Sequence, residues 1–447
     1  MSFSQALSGL RAQAENIKVI SNNIANSQTV GFKTGKVLFA DVFAGASSKV
    51  GLGVNISAIM QDFRSGDLEN TGRNLDLAIA GEGFYRLEKS NGAIVYSRNG
   101  QFNRDAQGFL VNGTGQFLTG YGLSDQNDPF SEVIPGGAPQ RLRIPPDDIP
   151  ANATTEVDAI YNLNASTIGT NVSNDDLQTA TVVTNNPNPG NTANIQFHFS
   201  SSYTIFDSLG NERTITTYFI KTANNVWDAE IAVDGYRAQA DIGTADFTLN
   251  FDANGNLFDP DDGTVPIVAG GGDITVVVDP NDPEAVTLTL VAANFDLGGA
   301  ADLEFNLGFN GTTQFNNNSV QNTLEQDGYT SGTLIGLEVE KDGTVTRIYT
   351  NEERREAGQI VLSNFINPEG LQPDGDNAWR QTNASGEPVL GEAQTGVFGS
   401  IEGGVLENSN VDLAQELVNM IVSQRAYQAN SSSIGTQDEM LQTIINL

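Results

Sequence analysis

The sequence predicts a mainly β chain with terminal α-helices, arranged as a nested multi-domain rod. Three observations carry this. Apolar residues recur in alternating steps of four and three at both ends of the 447-residue chain, the spacing of a coiled-coil stripe. Between those ends lie short alternating runs bounded by turn residues, the pattern of half-buried strands. Ile144-Pro145-Pro146-Asp-Asp-Ile-Pro150 then breaks the β pattern and marks a domain boundary.

The N-terminal helix is predicted over Ser2–Asn26, with Phe3, Leu7, Leu10, Ala14, Ile17 and Ile24 on one stripe. Ser4 and Gln5 stand at its capped start, and Asn22, Asn23, Asn26 and Gly31 stop it. The C-terminal helix starts at Asn410 or Asp412, either of which can cap the first free N–H groups. At 1.5 Å per residue the two helices span roughly 37 and 53 Å.

One C-terminal seam position is always apolar: Leu413, Met420, Tyr427, Ile434, Leu441. The other reads Leu417, Gln424, Ser431, Asp438, Ile445, and its polar middle would weaken a two-stranded coil. Neither helix is therefore expected to be stable alone, and both are expected to order among neighbouring subunits. The alternative is a helical hairpin folded within one chain.

Residues 31–70 read as an extended connector with strands. From Gly72, Leu75, Leu77 and Ile79 alternate with Asp76 and Ala78. Asn91-Gly92, Asn99-Gly100 and Asn112-Gly113 are expected to form tight hairpin turns. In the middle, Tyr203–Phe206 and Thr214–Ile220 flank an Asp207–Gly210 turn. Phe247, Leu249 and Phe251 alternate up to Asp252-Ala-Asn254-Gly255, and Val286–Leu290 alternates cleanly. Residues 165–195, rich in Asn, Thr and Pro, read as a long loop. A second β block, with a turn at Asp342-Gly343, runs to about Gly404.

The expected organisation is nested: 1–30 pairs with 405–447 as the helical assembly domain. Residues 71–145 and 327–404 together build a β-rich middle domain. Residues 146–326 are an inserted acidic, all-β outer domain.

Composition narrows the chemistry. The chain has no cysteine and one histidine, which leaves thiolate sites out and rests any triad or zinc site on His198 alone. His198, in Ile195-Gln-Phe-His-Phe199, reads as a strand residue. Net charge is -33, and residues 145–330 hold 26 acidic side chains against 3 basic ones. Such a surface disfavours nucleic acid. No apolar run reaches the ~20 residues of a membrane helix. The N-terminus lacks the apolar core of a secretory leader, so any export is expected without a cleaved signal peptide.

Asp252-Ala-Asn-Gly-Asn-Leu-Phe-Asp259-Pro-Asp-Asp262 has calcium-like oxygen spacing, but Leu257 stands where an EF-hand loop needs glycine. A turn followed by a solvated acidic loop is expected instead. Gly81-Glu-Gly83 and Gly270-Gly-Gly272 lack the features of a phosphate cradle. No carboxylate pair stands out, so no catalytic residue, cofactor or metal site is expected.

Ser4-Gln-Ala-Leu-Ser-Gly-Leu10, Ile20-Ser-Asn-Asn-Ile-Ala-Asn26 and Thr29-Val-Gly-Phe-Lys33 resemble the N-terminal signature of bacterial flagellar rod and hook proteins. Thr71-Gly-Arg-Asn-Leu-Asp-Leu-Ala-Ile79, Gly81-Glu-Gly-Phe84 and Ser97-Arg-Asn-Gly-Gln-Phe-Asn103 are similar to that family's next blocks. Val411-Asp-Leu-Ala-Gln-Glu-Leu417 and Gln424-Arg-Ala-Tyr-Gln-Ala-Asn430 resemble its C-terminal helix. Gln326-Asp-Gly-Tyr329, Gly332-Thr-Leu334, Asp342-Gly343 and Tyr349-Thr-Asn351, with the large insertion, favour the hook branch over the distal rod.

The resemblance implies a structural subunit that polymerises with itself into a curved hollow tube, a universal joint passing torque from rod to filament. It implies rod, hook-cap and hook–filament junction proteins as neighbours, and passage through the flagellar export apparatus to an extracellular position on the flagellum. The expected assembly residues are Leu7, Leu10, Ile17, Ile24, Leu413, Leu417, Met420, Tyr427, Ile434 and Leu441. The competing class is a secreted β-rich adhesin or enzyme oligomerised by its terminal helices.

Overall fold

The computed structural model describes residues 3–42, 51–125, 128–167, 177–184, 191–237, 243–257, 267–270, 274–279, 282–295 and 297–445. The chain divides into two compact units. The first takes Met1–Asp147, Leu334–Ile348 and Arg354–Leu447, and the second takes Asp148–Thr333 with Tyr349–Glu353. The passage from one to the other at Asp147/Asp148 falls inside the proline-rich run.

The second unit packs two sheets on one core. One sheet has five antiparallel strands: Phe199–Phe206, Glu212–Ala223, Val226–Val233, Phe247–Asn250 and Ile267–Ala269. The other has six and is built around Glu156–Asn164, which pairs with Leu303–Gly308, Thr313–Phe315 and Val320–Gln326. Alternate residues of both sheets point inward, so Ile215, Phe219, Trp227 and Ile231 meet Val157, Tyr161, Leu288 and Phe305. The Trp227 indole Nε1 donates to Gln314 Oε1 at 2.6 Å, tying one sheet to the other through a buried hydrogen bond.

In the first unit a twelve-stranded sheet draws on all three chain segments. Arg354–Asn364 joins them, pairing with Phe117–Tyr121 and Phe84–Glu88. Leu77, Tyr85, Leu87, Phe102, Leu118, Ile360 and Leu362 form its dry core.

One turn design recurs in both units. Asp105, Asn112, Asp207 and Asp252 each accept, through Oδ1, the N–H groups two and four residues ahead. The third residue on is glycine at positive φ: Gly108, Gly115, Gly210 and Gly255, from 77° to 90°. Carboxylate or amide and glycine together make the reversal inexpensive.

Several expectations change. Asn99-Gly100 is no hairpin turn; a Cβ on Gly100 would run into the Leu77 carbonyl oxygen, so glycine is there for close approach. The run from Asp76 to Ile79 is buried on both faces, not alternately, because Leu77–Ala80 lies inside the fold and pairs with Ser400–Gly403. The expected loop over 165–195 contains the hairpin Gln178–Thr184 with Asn191–Phe197, whose β-branched Thr and Val residues favour a strand. His198 sits at the bend between two strands, where its Nδ1 accepts the Lys221 N–H at 3.0 Å. In the acidic loop, Asp252–Leu257 forms the expected turn, while Phe258–Asp262 lies outside the described residues, as do Gly271 and Gly272.

Candidate assembly surface

The C-terminal helix runs Leu413–Ile445 and the N-terminal helix Phe3–Ala25. Asp412 caps the former: its Oδ1 accepts the N–H groups of Ala414 and Gln415 at 2.9 and 3.0 Å. Asn410 serves elsewhere, accepting the Thr34 N–H and donating to the carbonyls of Asp62 and Arg64. Ser4 and Gln5 lie inside the N-terminal helix, not ahead of it, and Gln5 donates to the Gly51 carbonyl.

The two helices pair antiparallel within one chain. Asn16 Nδ2 donates to Ser423 Oγ at 2.8 Å, and Asn23 Nδ2 to Glu416 Oε2 at 3.4 Å. Gly9 faces Asn430 and leaves it room, since a Cβ on Gly9 would stand 2.9 Å from Asn430 Nδ2. The folded-within-one-chain alternative is thus the arrangement seen, and its seam is not the apolar stripe. The buried line on the C-terminal helix holds Glu416 and Ser423, and on the N-terminal helix Ala6, Ala12, Ile20 and Asn23.

The N-terminal helix is covered on a second side. A hairpin of Gly35–Asp41 and Val54–Gln61 lies along it, held by Ser8 Oγ accepting the Val54 N–H and by Asn23 bonding both backbone groups of Gly35. Among the described residues the C-terminal helix has no such cover. Leu413, Leu417, Val418, Ile421 and Val422 are between 46% and 60% exposed, off the buried line of Glu416 and Ser423. A contiguous apolar patch of this kind marks a contact surface.

Leu413, Leu417, Tyr427 and Leu441 are exposed, while Met420 and Ile434 are half-buried at the rim of the helix pair. Leu7, Leu10, Ile17 and Ile24 are half-buried, Leu7 in the groove beside Val54 and Ile56. Sequence reasoning missed Val418, Ile421 and Val422. Their signal is helical spacing: four residues separate Leu417 from Ile421 and Val418 from Val422, and three separate Val418 from Ile421.

The chain matches four family descriptions in order. Residues 4–33 match "Flagella basal body rod protein", and residues 78–164 match "Flagellar hook protein FlgE/F/G D1 domain". Residues 162–329 match "Flagellar basal body protein FlaE D2 domain", and residues 402–447 match "Flagellar basal body rod FlgEFG protein C-terminal". Over its full length it is 42% identical to the flagellar hook protein FlgE of Escherichia coli (strain K12), covering all of that chain. The chain belongs to the flagellar hook protein FlgE family.

The hook protein of Salmonella typhimurium is likewise 42% identical over the whole of both chains. Helicobacter pylori FlgE2, a solved hook protein, is similar at 13% identity and TM-score 0.49, over 76% of this chain and all of that one. The chain is a structural subunit of the flagellar hook. Among the described residues no helix is long and apolar enough to cross a membrane, and no group of three acidic or histidine side chains is placed to hold a metal ion.

In this hook protein the roots of both helices are pinned to the β-sheet unit at one buried point. Glu407 accepts Lys33 Nζ at 2.6 Å, Arg98 Nη1 at 3.2 Å and the Gly66 N–H at 2.9 Å. All three charged side chains are at most 3% exposed. Burial pushes the Lys33 ammonium below the usual lysine value; Glu407 pulls it back up and Arg98 adds to the lowering.

Proposed function

We propose that the subunit polymerises with copies of itself into the curved, hollow hook and carries torque from rod to filament. The observation that carries this reading is the uncovered apolar face of the C-terminal helix, Leu413 to Val422, on a chain that otherwise buries most of its large apolar residues. In the polymer the helical ends line an inner tube around the export channel. The β-sheet unit is the load-bearing shell, and the acidic unit is the outer surface. Leu7, Leu10, Ile17, Ile24, Leu413, Leu417, Met420, Tyr427, Ile434 and Leu441 act as assembly positions, with no catalytic step.

Packed helices supply stiffness in twist, and wet polar contacts between outer units allow sliding when the tube bends. The rod, the hook cap and the hook–filament junction proteins are its neighbours. It reaches the outside unfolded through the flagellar export apparatus. Negative-stain electron microscopy of full-length protein at high salt, beside a chain trimmed to residues 31–409, tests the reading. Curved tubes are expected from the full-length protein alone, with the trimmed chain folded and monomeric. Tubes from the trimmed chain, or its unfolding, would count against assembly through the helical ends.

A further inference from the structure

The strand Leu334–Val339 ends the twelve-stranded sheet, and its apolar row outruns the core beneath it. Ile335, Leu337 and Val339 share one face, since side chains alternate along a strand. Val339 is buried, Leu337 packs partly against the core, and Ile335 is 64% exposed. Beside this row lies an open groove of about 440 Å³, lined by Leu334–Leu337 together with Leu75, Asn74, Arg73 and Arg104. Asn74 Nδ2 donates to the Leu337 carbonyl at 2.6 Å, so the backbone edge is closed there and an added strand is not what the groove fits. It offers side chains instead: an exposed isoleucine and two guanidinium groups.

Charge sets what can enter. Arg104 is exposed and has no side-chain partner among the described residues. Arg73 donates to Asn103 at 2.8 Å and stands 3.6 Å from Asp76, yet it is 58% exposed. Elsewhere in the same unit Lys89, Arg141, Lys341 and Arg354 are each held by a carboxylate. The chain carries 55 acidic side chains against 22 basic ones, so an unpaired arginine is scarce and free carboxylates are plentiful. The surface of a second copy is therefore mostly opposite in sign to this groove.

The same charges decide how two copies can meet. Two such grooves facing each other about a two-fold axis would set arginine against arginine. A different, carboxylate-bearing face of the second copy fits, and a contact between two unlike faces propagates where a contact between like faces closes as a dimer.

We propose that the groove at Leu334–Leu337, with Ile335 and Arg104, receives a carboxylate-bearing face of a second copy of the chain as one heterologous contact of the polymer. The inference deepens the assembly reading above and rests on it, and it adds a contact that the β-sheet unit makes without the helical ends. Ile335 contributes apolar area that is buried once covered, and Arg104 selects the face that covers it.

A carbodiimide joins amines to carboxylates in contact, so Arg104→Lys makes the groove report its own neighbour. Isotope-labelled and unlabelled full-length chains are mixed, concentrated, treated with carbodiimide and mapped by mass spectrometry. The expected product is an amide between the introduced amine of one copy and an Asp or Glu of another, absent from the unaltered chain. No link at this position, a link within one chain only, or a link to the groove of the second copy would overturn the inference.

Arg104→Glu is expected to raise the protein concentration needed for polymer about tenfold or more at moderate salt, and by less at high salt, where repulsion is screened. Ile335→Asp is expected to raise it at every salt concentration, while Arg104→Lys polymerises as the unaltered chain does. Thermal melts followed by circular dichroism should match the unaltered chain in all three, because the altered side chains are exposed. Arg104→Glu and Ile335→Asp chains that polymerise at the unaltered concentration would overturn the inference. Absence of tubes from the unaltered chain strikes the assembly reading instead, and the cross-link in concentrated solution still decides whether copies meet at this groove.

Discussion

Glu407→Ala is expected to destabilise the β-sheet unit by about 3–5 kcal/mol, because it strands two buried cations at once. Lys33 and Arg98 reach Glu407 from different parts of the chain, one just after the N-terminal helix and one from a loop following Ile94–Ser97. Glu407 itself lies at the end of Val405–Glu407, six residues before the C-terminal helix. The contrast is Lys33→Met, which leaves one buried ion pair intact and loses two hydrogen bonds, to Glu407 and to the Arg64 carbonyl. Its expected cost is about 1–3 kcal/mol.

The pH dependence follows from Lys33. Its folded-state value is lowered, so the folded chain holds this proton less tightly than the unfolded chain does. Its contribution to stability therefore improves as pH rises toward the unfolded lysine value of about 10.4. In Glu407→Ala the counter-charge is gone, and Lys33 can relieve the burial by losing its proton. The deficit of that variant should shrink from pH 7 to pH 9 in urea titrations. An equal cost for Glu407→Ala and Lys33→Met would show that the network does not act as a paired charge.

Trp227→Ala is expected to cost the acidic unit about 3–5 kcal/mol. Trp227 is fully buried between the two sheets, with the Lys221 ammonium 5.7 Å from its ring centroid and the His198 ring 6.0 Å away. Its loss opens a large cavity and removes the indole partner of Gln314 Oε1, whose amide nitrogen donates to Asn225 at 3.0 Å. Differential scanning calorimetry should show the transition of this unit falling by about 10 °C, with the other unit's transition unmoved. Both transitions falling together would mean that the two units do not melt independently.

The C-terminal cap, narrowed to Asn410 or Asp412, and the turns at Asp207 and Asp252 were legible as local chemistry. Each depends on a residue type that does one thing at one position. The hairpin at 178–197 was hidden because Asn and Pro around it mask two runs of β-branched residues. Asp76–Ile79 misled because alternation records one buried face, and this strand has two.

The helix pair shows why the site was only half legible. Apolar periodicity located the helices and picked Leu10, Ile17 and Ile24 with Leu413, Met420 and Tyr427. The seam lies one residue earlier on the N-terminal helix, at Gly9, Asn16 and Asn23, about 100° around its axis. A hydrophobic pattern finds the stripe with the most to gain from burial. The partner within the chain is marked instead by polar matches such as Asn16 with Ser423, which apolar periodicity does not register.

If the outer face of the C-terminal helix drives polymerisation, charges placed on that face abolish the polymer. Leu417→Asp with Ile421→Asp tests it most directly, since both side chains are about half exposed in the single chain and neither lies in the seam. The measurement is sedimentation of polymer at high salt, alongside thermal unfolding of the monomer. Loss of pelletable tubes is expected, with the monomer's melting temperature within about 2 °C of the unaltered chain, as surface changes usually allow. Normal tubes from the doubly charged variant would contradict it.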